Sequence, residues 1–195
     1  MKVKQLLLSL FFLLTVLAGS GRTECIDSIL VDSTYYSVPE LWCGLAVDST
    51  MAADPASLVR VPEEYCYENY RIYVTPATRD AFVRMAQAAS RDSVKLITDS
   101  GYRSARFQER IIRRRLQEGK AIEEILRDVA PPGYSEHQTG RAFDLVPSEA
   151  VFAYGKAYAW LVQHAAEFGF NESYPQNDST AFPWESWHWI YSPPE

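Results

Sequence analysis

The hydrophobic pattern divides the chain into an apolar leader, an irregular stretch and a series of amphipathic elements. Met1 to Lys4 is basic, Leu6 to Leu17 is an almost unbroken apolar run, and Ala18-Gly19-Ser20 is made of small residues, the layout of a secretory signal peptide over residues 1–20. The run is shorter than the roughly 20 apolar residues of a membrane-spanning helix, so no stable membrane insertion is expected after cleavage. From Thr23 to about Val74 the chain is rich in Tyr, Pro, Asp and Ser, with apolar patches at Leu58 to Val61 and Tyr70 to Val74. Residues 21–75 therefore read as an irregular N-terminal wrap of short extended pieces, packed on the domain that follows.

Phe82, Met85, Ala86 and Ala89 recur at helical spacing behind a capping Thr75 and a first-turn Pro76, which predicts a helix over Pro76 to Ala89. Val94 to Asp99 alternates and is β-branched, which predicts a strand running into Ser100-Gly101-Tyr102-Arg103-Ser104. Phe107, Ile111, Ile112 and Leu116 return to the helical period between Ser104 and Gly119, and a shorter helix follows over Ala121 to Val129, stopped by Pro131-Pro132. Gly133 to Thr139 reads as a loop, Gly140 as a sharp turn, and Ala142 to Val146 as a strand. Ala157, Trp160, Leu161, His164, Ala165 and Phe168 line one helix face ending at Gly169. Asn171 to Pro183 reads as a polar loop and Trp184 to Tyr191 as an aromatic final strand. Separated strands among helices imply an α+β fold, a small antiparallel sheet flanked by helices, over residues 76–195.

The formal charge is −6, and a chain of this acidity with no concentrated basic face is a poor nucleic-acid binder. Arg110, Arg113, Arg114 and Arg115 cluster on one predicted helix, where a solvated face is expected. The cysteines are Cys25, Cys43 and Cys66. Export makes one disulfide plausible among three possible pairings, with Cys43 to Cys66 the expected one. A protein of this kind is expected in a periplasm, a cell wall or the extracellular space.

The chemistry is concentrated in two segments, Ser135 to Asp144 and Glu185 to His188, which hold two of the three histidines. Catalytic zinc takes three protein ligands from His, Asp, Glu or Cys and keeps a fourth position for water, whose pKa it lowers from about 15.7 to about 7. His137, Asp144 and His188 supply such a set for one Zn2+ ion, and Glu185 is left over as general base. His164, on its apolar helix face, is expected to be a packed histidine outside the site.

Ser135-x-His137-x-x-Gly140-x-Ala142-x-Asp144 and Glu185-x-x-His188 resemble the two signatures of zinc peptidases in the group that unites lysostaphin, D-alanyl-D-alanine metallopeptidases and hedgehog domains. VanY-type carboxypeptidases are the most similar pattern, and Ser100-Gly101-Tyr102-Arg103-Ser104 followed by Gln108 resembles an earlier signature of theirs. The resemblance implies cleavage of the terminal D-Ala-D-Ala bond of peptidoglycan stem peptides; a monomer is expected. It assigns oxyanion stabilisation to Arg103 and contact with the substrate near its terminal carboxylate to Gln108, Ser135 and Trp187. A preorganised cation beside the metal is also what amide hydrolysis demands, since negative charge develops on the carbonyl oxygen. Ser173 and Ile190 stand where basic residues are common in the family. The same chemistry could serve a tetrapeptide carboxypeptidase, a D-Ala-D-Ala dipeptidase or a wall endopeptidase; a non-catalytic zinc-stabilised wall-binding module is the alternative of a different class.

Overall fold

The computed structural model describes residues 27–176 and 182–193, so the segment 1–20 expected to be a signal peptide lies outside the described residues. An antiparallel hairpin of β1 (Ser28–Val31) and β2 (Thr34–Ser37) opens the described chain, and a second short pair, β3 (Val59–Arg60) with β4 (Tyr73–Val74), precedes the helices. Then come α1 (Pro76–Arg91), β5 (Thr98–Ser100), α2 (Ala105–Gln117), α3 (Ile122–Asp128), β6 (Ala142–Leu145), α4 (Lys156–His164), β7 (Phe170–Glu172) and β8 (His188–Tyr191). The main sheet is antiparallel with order β5-β6-β8-β7. The fold is α+β, as the pattern of separated strands implies.

Local chemistry explains the starts of the two long helices. The Thr75 hydroxyl accepts from the Thr78 N–H, with Pro76 in the first turn of α1, and the Ser104 hydroxyl accepts from the Phe107 N–H at the start of α2. Helix α1 buries Ala81, Phe82, Met85, Ala86 and Ala89 against the sheet residues Phe143, Leu145, Phe170 and Trp189, and Phe82 stacks on Phe143 at 4.3 Å between ring centroids.

Strand pleat then sorts the remaining sheet residues. Phe143 pairs with Trp189 on the core side, while their neighbours Asp144 and His188 pair with each other on the opposite face. One register thus fixes both a core contact and the proximity of two polar side chains. The second core lies under the N-terminal hairpin, where Ile29, Val31, Val38 and Trp42 pack with Ile112, Ile125, Leu126 and Val129.

Several boundaries differ from the sequence reading. The strand expected over Val94 to Asp99 is confined to Thr98–Ser100, where a bulge interrupts its register with β6. The hairpin of β1 and β2, and β7 inside the expected polar loop, are strands of three or four residues whose period is too short to stand out. Cys66 is a buried free thiol and Cys43 is disulfide-bonded, so the expected Cys43–Cys66 pairing is wrong. Cys66 instead sits among the apolar core residues behind the sheet. His164 is not packed away: its imidazole is 38% exposed and pairs with Glu167 at 2.9 Å, although it remains outside the site.

Candidate metal centre and active site

His137 is delivered by a single 3-10 turn, Glu136–Thr139, which Gly140 ends in the left-handed conformation at φ 65°. A Cβ at Gly140 would meet the Leu58 side chain at 3.0 Å, so the turn requires glycine for both backbone freedom and space. Asp144 comes from β6 and His188 from the first position of β8. All three side chains are buried, and one donor atom from each lies within 4.8 Å of the others.

The hydrogen bonds define which atoms face the common point. His137 Nδ1 lies 2.6 Å from the Gly101 carbonyl, which accepts only an N–H, so Nε2 carries the lone pair; that Nε2 is buried without a hydrogen-bond partner, 3.1 Å from Asp144 Oδ2. His188 turns Nε2 toward Glu136 Oε2 at 2.9 Å and Nδ1 toward Asp144 Oδ1 at 2.9 Å. Two imidazole nitrogens and a carboxylate therefore converge, each imidazole held from behind by an oxygen. An orphaned buried nitrogen beside a carboxylate and a second imidazole is the donor set of a divalent metal, and these residues fit one.

The electrostatics of His137 and Asp144 agree with this assignment, while His188 would have to give up a proton to join it. Burial, reinforced by the Arg103 guanidinium, depresses His137 to about 4, which keeps its lone pair free at neutral pH. Burial opposes the charge on Asp144, but the imidazoles and Arg103 hold its carboxyl well below the usual carboxylate range. Burial likewise opposes protonation of His188, yet the Asp144 and Glu136 carboxylates push it up to about 10.

Glu185, just before β8, shares the cleft with the donor set and is not one of the converging donors. Burial raises it to about 7, with Asp144 and Asp128 adding to the rise and His188 and Arg103 opposing it. Arg103 donates from Nη2 to Asp144 Oδ2 at 2.6 Å and leaves its buried Nε without a partner.

The cleft has a volume of about 330 Å³ and brings together all eight residues singled out in the sequence. Ser135 lies at its buried rim. Gln108 spends its Nε2 on the Ala130 carbonyl at 2.8 Å and presents an unpartnered Oε1. Trp187 packs partly into the core and reaches the cleft edge, as expected for a residue alternating with His188.

Two contributors escape the sequence reading. Glu136 supports His188 and accepts from the Ser173 hydroxyl at 2.5 Å; its position next to His137 was the only signal. Tyr174 places its ring 5.2 Å from that of His188, and it touches Phe182, which in turn meets Trp42. The arginine run is solvent-exposed at Arg110 and Arg114, as expected, but Arg113 pairs with Asp32 and Glu109, Arg110 lies over Phe107, and Arg114 and Arg115 line the cleft together with Arg127.

A small antiparallel sheet presenting His188 and Asp144, met by His137 from a neighbouring turn, with a glutamate outside the donor set and an arginine beside it, defines the metallopeptidase class. The profile of the VanY family, D-alanyl-D-alanine carboxypeptidase, matches residues 71–194, more than half of the sequence, and the chain belongs to that family. A D-alanyl-D-alanine carboxypeptidase of Enterococcus faecalis is 33% identical over 135 residues, covering 64% of this chain and 48% of that protein. The chain spans about half the length of the curated relatives it matches. Among solved structures, the LD-carboxypeptidase LdcB superposes with a TM-score of 0.66 at 28% identity, covering 85% of this chain and 83% of that one. A zinc complex of the vancomycin-resistance D,D-pentapeptidase VanY gives 0.52 at 27% identity, covering 68% and 82%.

Proposed function

We propose that the protein is an exported, monomeric, zinc-dependent carboxypeptidase that removes the terminal D-alanine from D-Ala-D-Ala-ending stem peptides of peptidoglycan. In this reading residues 76–195 carry the peptidase, residues 21–75 are an extension packed on it, and residues 1–20 direct export. The observation that carries the proposal is the convergence of His137 Nε2, His188 Nδ1 and an Asp144 oxygen, with a buried Glu185 beside them that is not a donor. Zinc bound there would acidify a water and polarise the scissile carbonyl.

The chain's own groups account for the proton movements and charge. Glu185 accepts the proton of the attacking water on its carboxylate and delivers it to the leaving amine nitrogen; its raised proton affinity suits both halves of that transfer. Arg103, anchored by Asp144 through Nη2, keeps Nε free for the oxygen that becomes negative. Ser135 and Trp187 contact the substrate at the cleft rim. Gln108, whose Oε1 is the unpartnered atom, accepts a substrate N–H rather than binding a carboxylate, a role that differs from the one the resemblance implies.

Incubation of the zinc-loaded protein with a pentapeptide stem should release D-alanine, detected by mass spectrometry. Release of the D-Ala-D-Ala dipeptide, cleavage only of a tetrapeptide, or cleavage within the stem would each replace the D,D-carboxypeptidase assignment with the corresponding alternative. No cleavage of any stem would leave the zinc-stabilised binding module.

A further inference from the structure

We infer that Arg114, Arg115 and Arg127 form an anion subsite on the cleft wall that takes a carboxylate of the peptide substrate. The inference rests on the peptidase reading above for the identity of the ligand and on the cleft itself for the site. The arginines come from two helices and converge on the same cavity as the donor set, in a chain whose formal charge is −6. Their acidic neighbours compete weakly. Arg114 meets Glu118 only at 3.5 Å and Arg127 meets Asp128 only at 3.5 Å, with the arginine side chains 70% and 63% exposed, and Arg115 has no ion pair among the described residues.

Position along α2 gives the subsite its geometry. Gln108, Ile111 and Arg115 follow one another along one helix face and all line the cleft, so a peptide extending from the donor set past Gln108 runs onto Arg115. Helix α3 closes the same wall: Asp128, beside Arg127, is near enough to Glu185 to raise its proton affinity. Gln108 is buried with its Nε2 spent on the Ala130 carbonyl, which leaves the guanidinium groups as the anion donors of this wall. A carboxylate in such a peptide has two sources, the C-terminus and an internal side chain.

The test measures binding of L-Ala-γ-D-Glu-L-Lys-D-Ala to the zinc-loaded protein by calorimetry, beside one analogue amidated at the C-terminus and another amidated at the glutamate α-carboxyl. The parent should prefer the free acid over one of the analogues by about threefold to tenfold, as expected for partly exposed ion pairs. The analogue that loses affinity identifies the carboxylate. That preference should disappear in an R114Q/R115Q/R127Q variant and persist in Arg110→Gln, which removes a charge from the same helix away from the cleft. Equal affinities for all three peptides in the parent, or a preference that survives in the triple variant, would overturn the subsite. A preference of the expected kind in a protein that releases no D-alanine supports the subsite and rejects the carboxypeptidase reading, whereas release of D-alanine without any preference does the reverse.

Discussion

Glu185 and Glu136 flank the same donor set and have opposite tasks. The proposed mechanism makes Glu185 the proton carrier, which must be ionised before turnover, so kcat/KM should climb with pH along an acid limb whose midpoint lies at or below about 7, a nearby cation favouring the ionised form further. Glu185→Gln should lower kcat by about 10²–10⁴-fold while a zinc-chelator competition shows unchanged metal affinity. Glu136, which holds His188 from behind, should show the converse: Glu136→Ala weakens zinc binding by about 10–100-fold in the same competition, because the imidazole loses the acceptor that orients it. The donors and Glu185 were legible from residue type and spacing, since three histidines leave few ways to build a site. Glu136 was not, because one glutamate in a polar loop carries no period and its role depends on the approach of β8.

At the scale of elements, the long amphipathic helices were readable because many turns repeat the same apolar face, whereas β1, β2 and β7 are too short to establish a period. The segment after β5 shows how an element boundary governs chemistry. Gly101 lies against β4, where a Cβ would come within 2.7 Å of the Ile72 side chain and 2.8 Å of the Tyr73 carbonyl, and its own carbonyl orients His137. Gly101→Ala should therefore cost about 1–3 kcal/mol of stability through overpacking, read by denaturant unfolding, and weaken zinc binding in parallel as the carbonyl shifts. The bulge in β5 is equally invisible in sequence: Thr98 supports it by donating its hydroxyl to backbone carbonyls of Ser100 and Asp144.

Across the whole molecule, the family match begins at residue 71, yet both cores depend on residues before it. Trp42 donates its indole N–H to the Leu126 carbonyl at 2.6 Å and rests against Phe182, which continues through Tyr174 to His188. Trp42→Ala should destabilise the fold by about 3–5 kcal/mol, measured by denaturant unfolding, and raise KM through the altered cleft wall. This dependence could not be read from a stretch of chain rich in Tyr, Pro, Asp and Ser, because the partners of Trp42 lie some eighty or more residues away. The pairing of Asp144 with His188 has a consequence on the same scale. Under the proposed zinc reading, an ion gripped by neighbouring strands would act as a rivet across the middle of the sheet, coupling catalytic occupancy to mechanical integrity. Zinc at about a thousand times its dissociation constant should add about 4 kcal/mol to the free energy of unfolding, and a chelator should lower the melting temperature accordingly. A calorimetric scan of the untreated protein would then serve as a gauge of how many molecules in a preparation are armed.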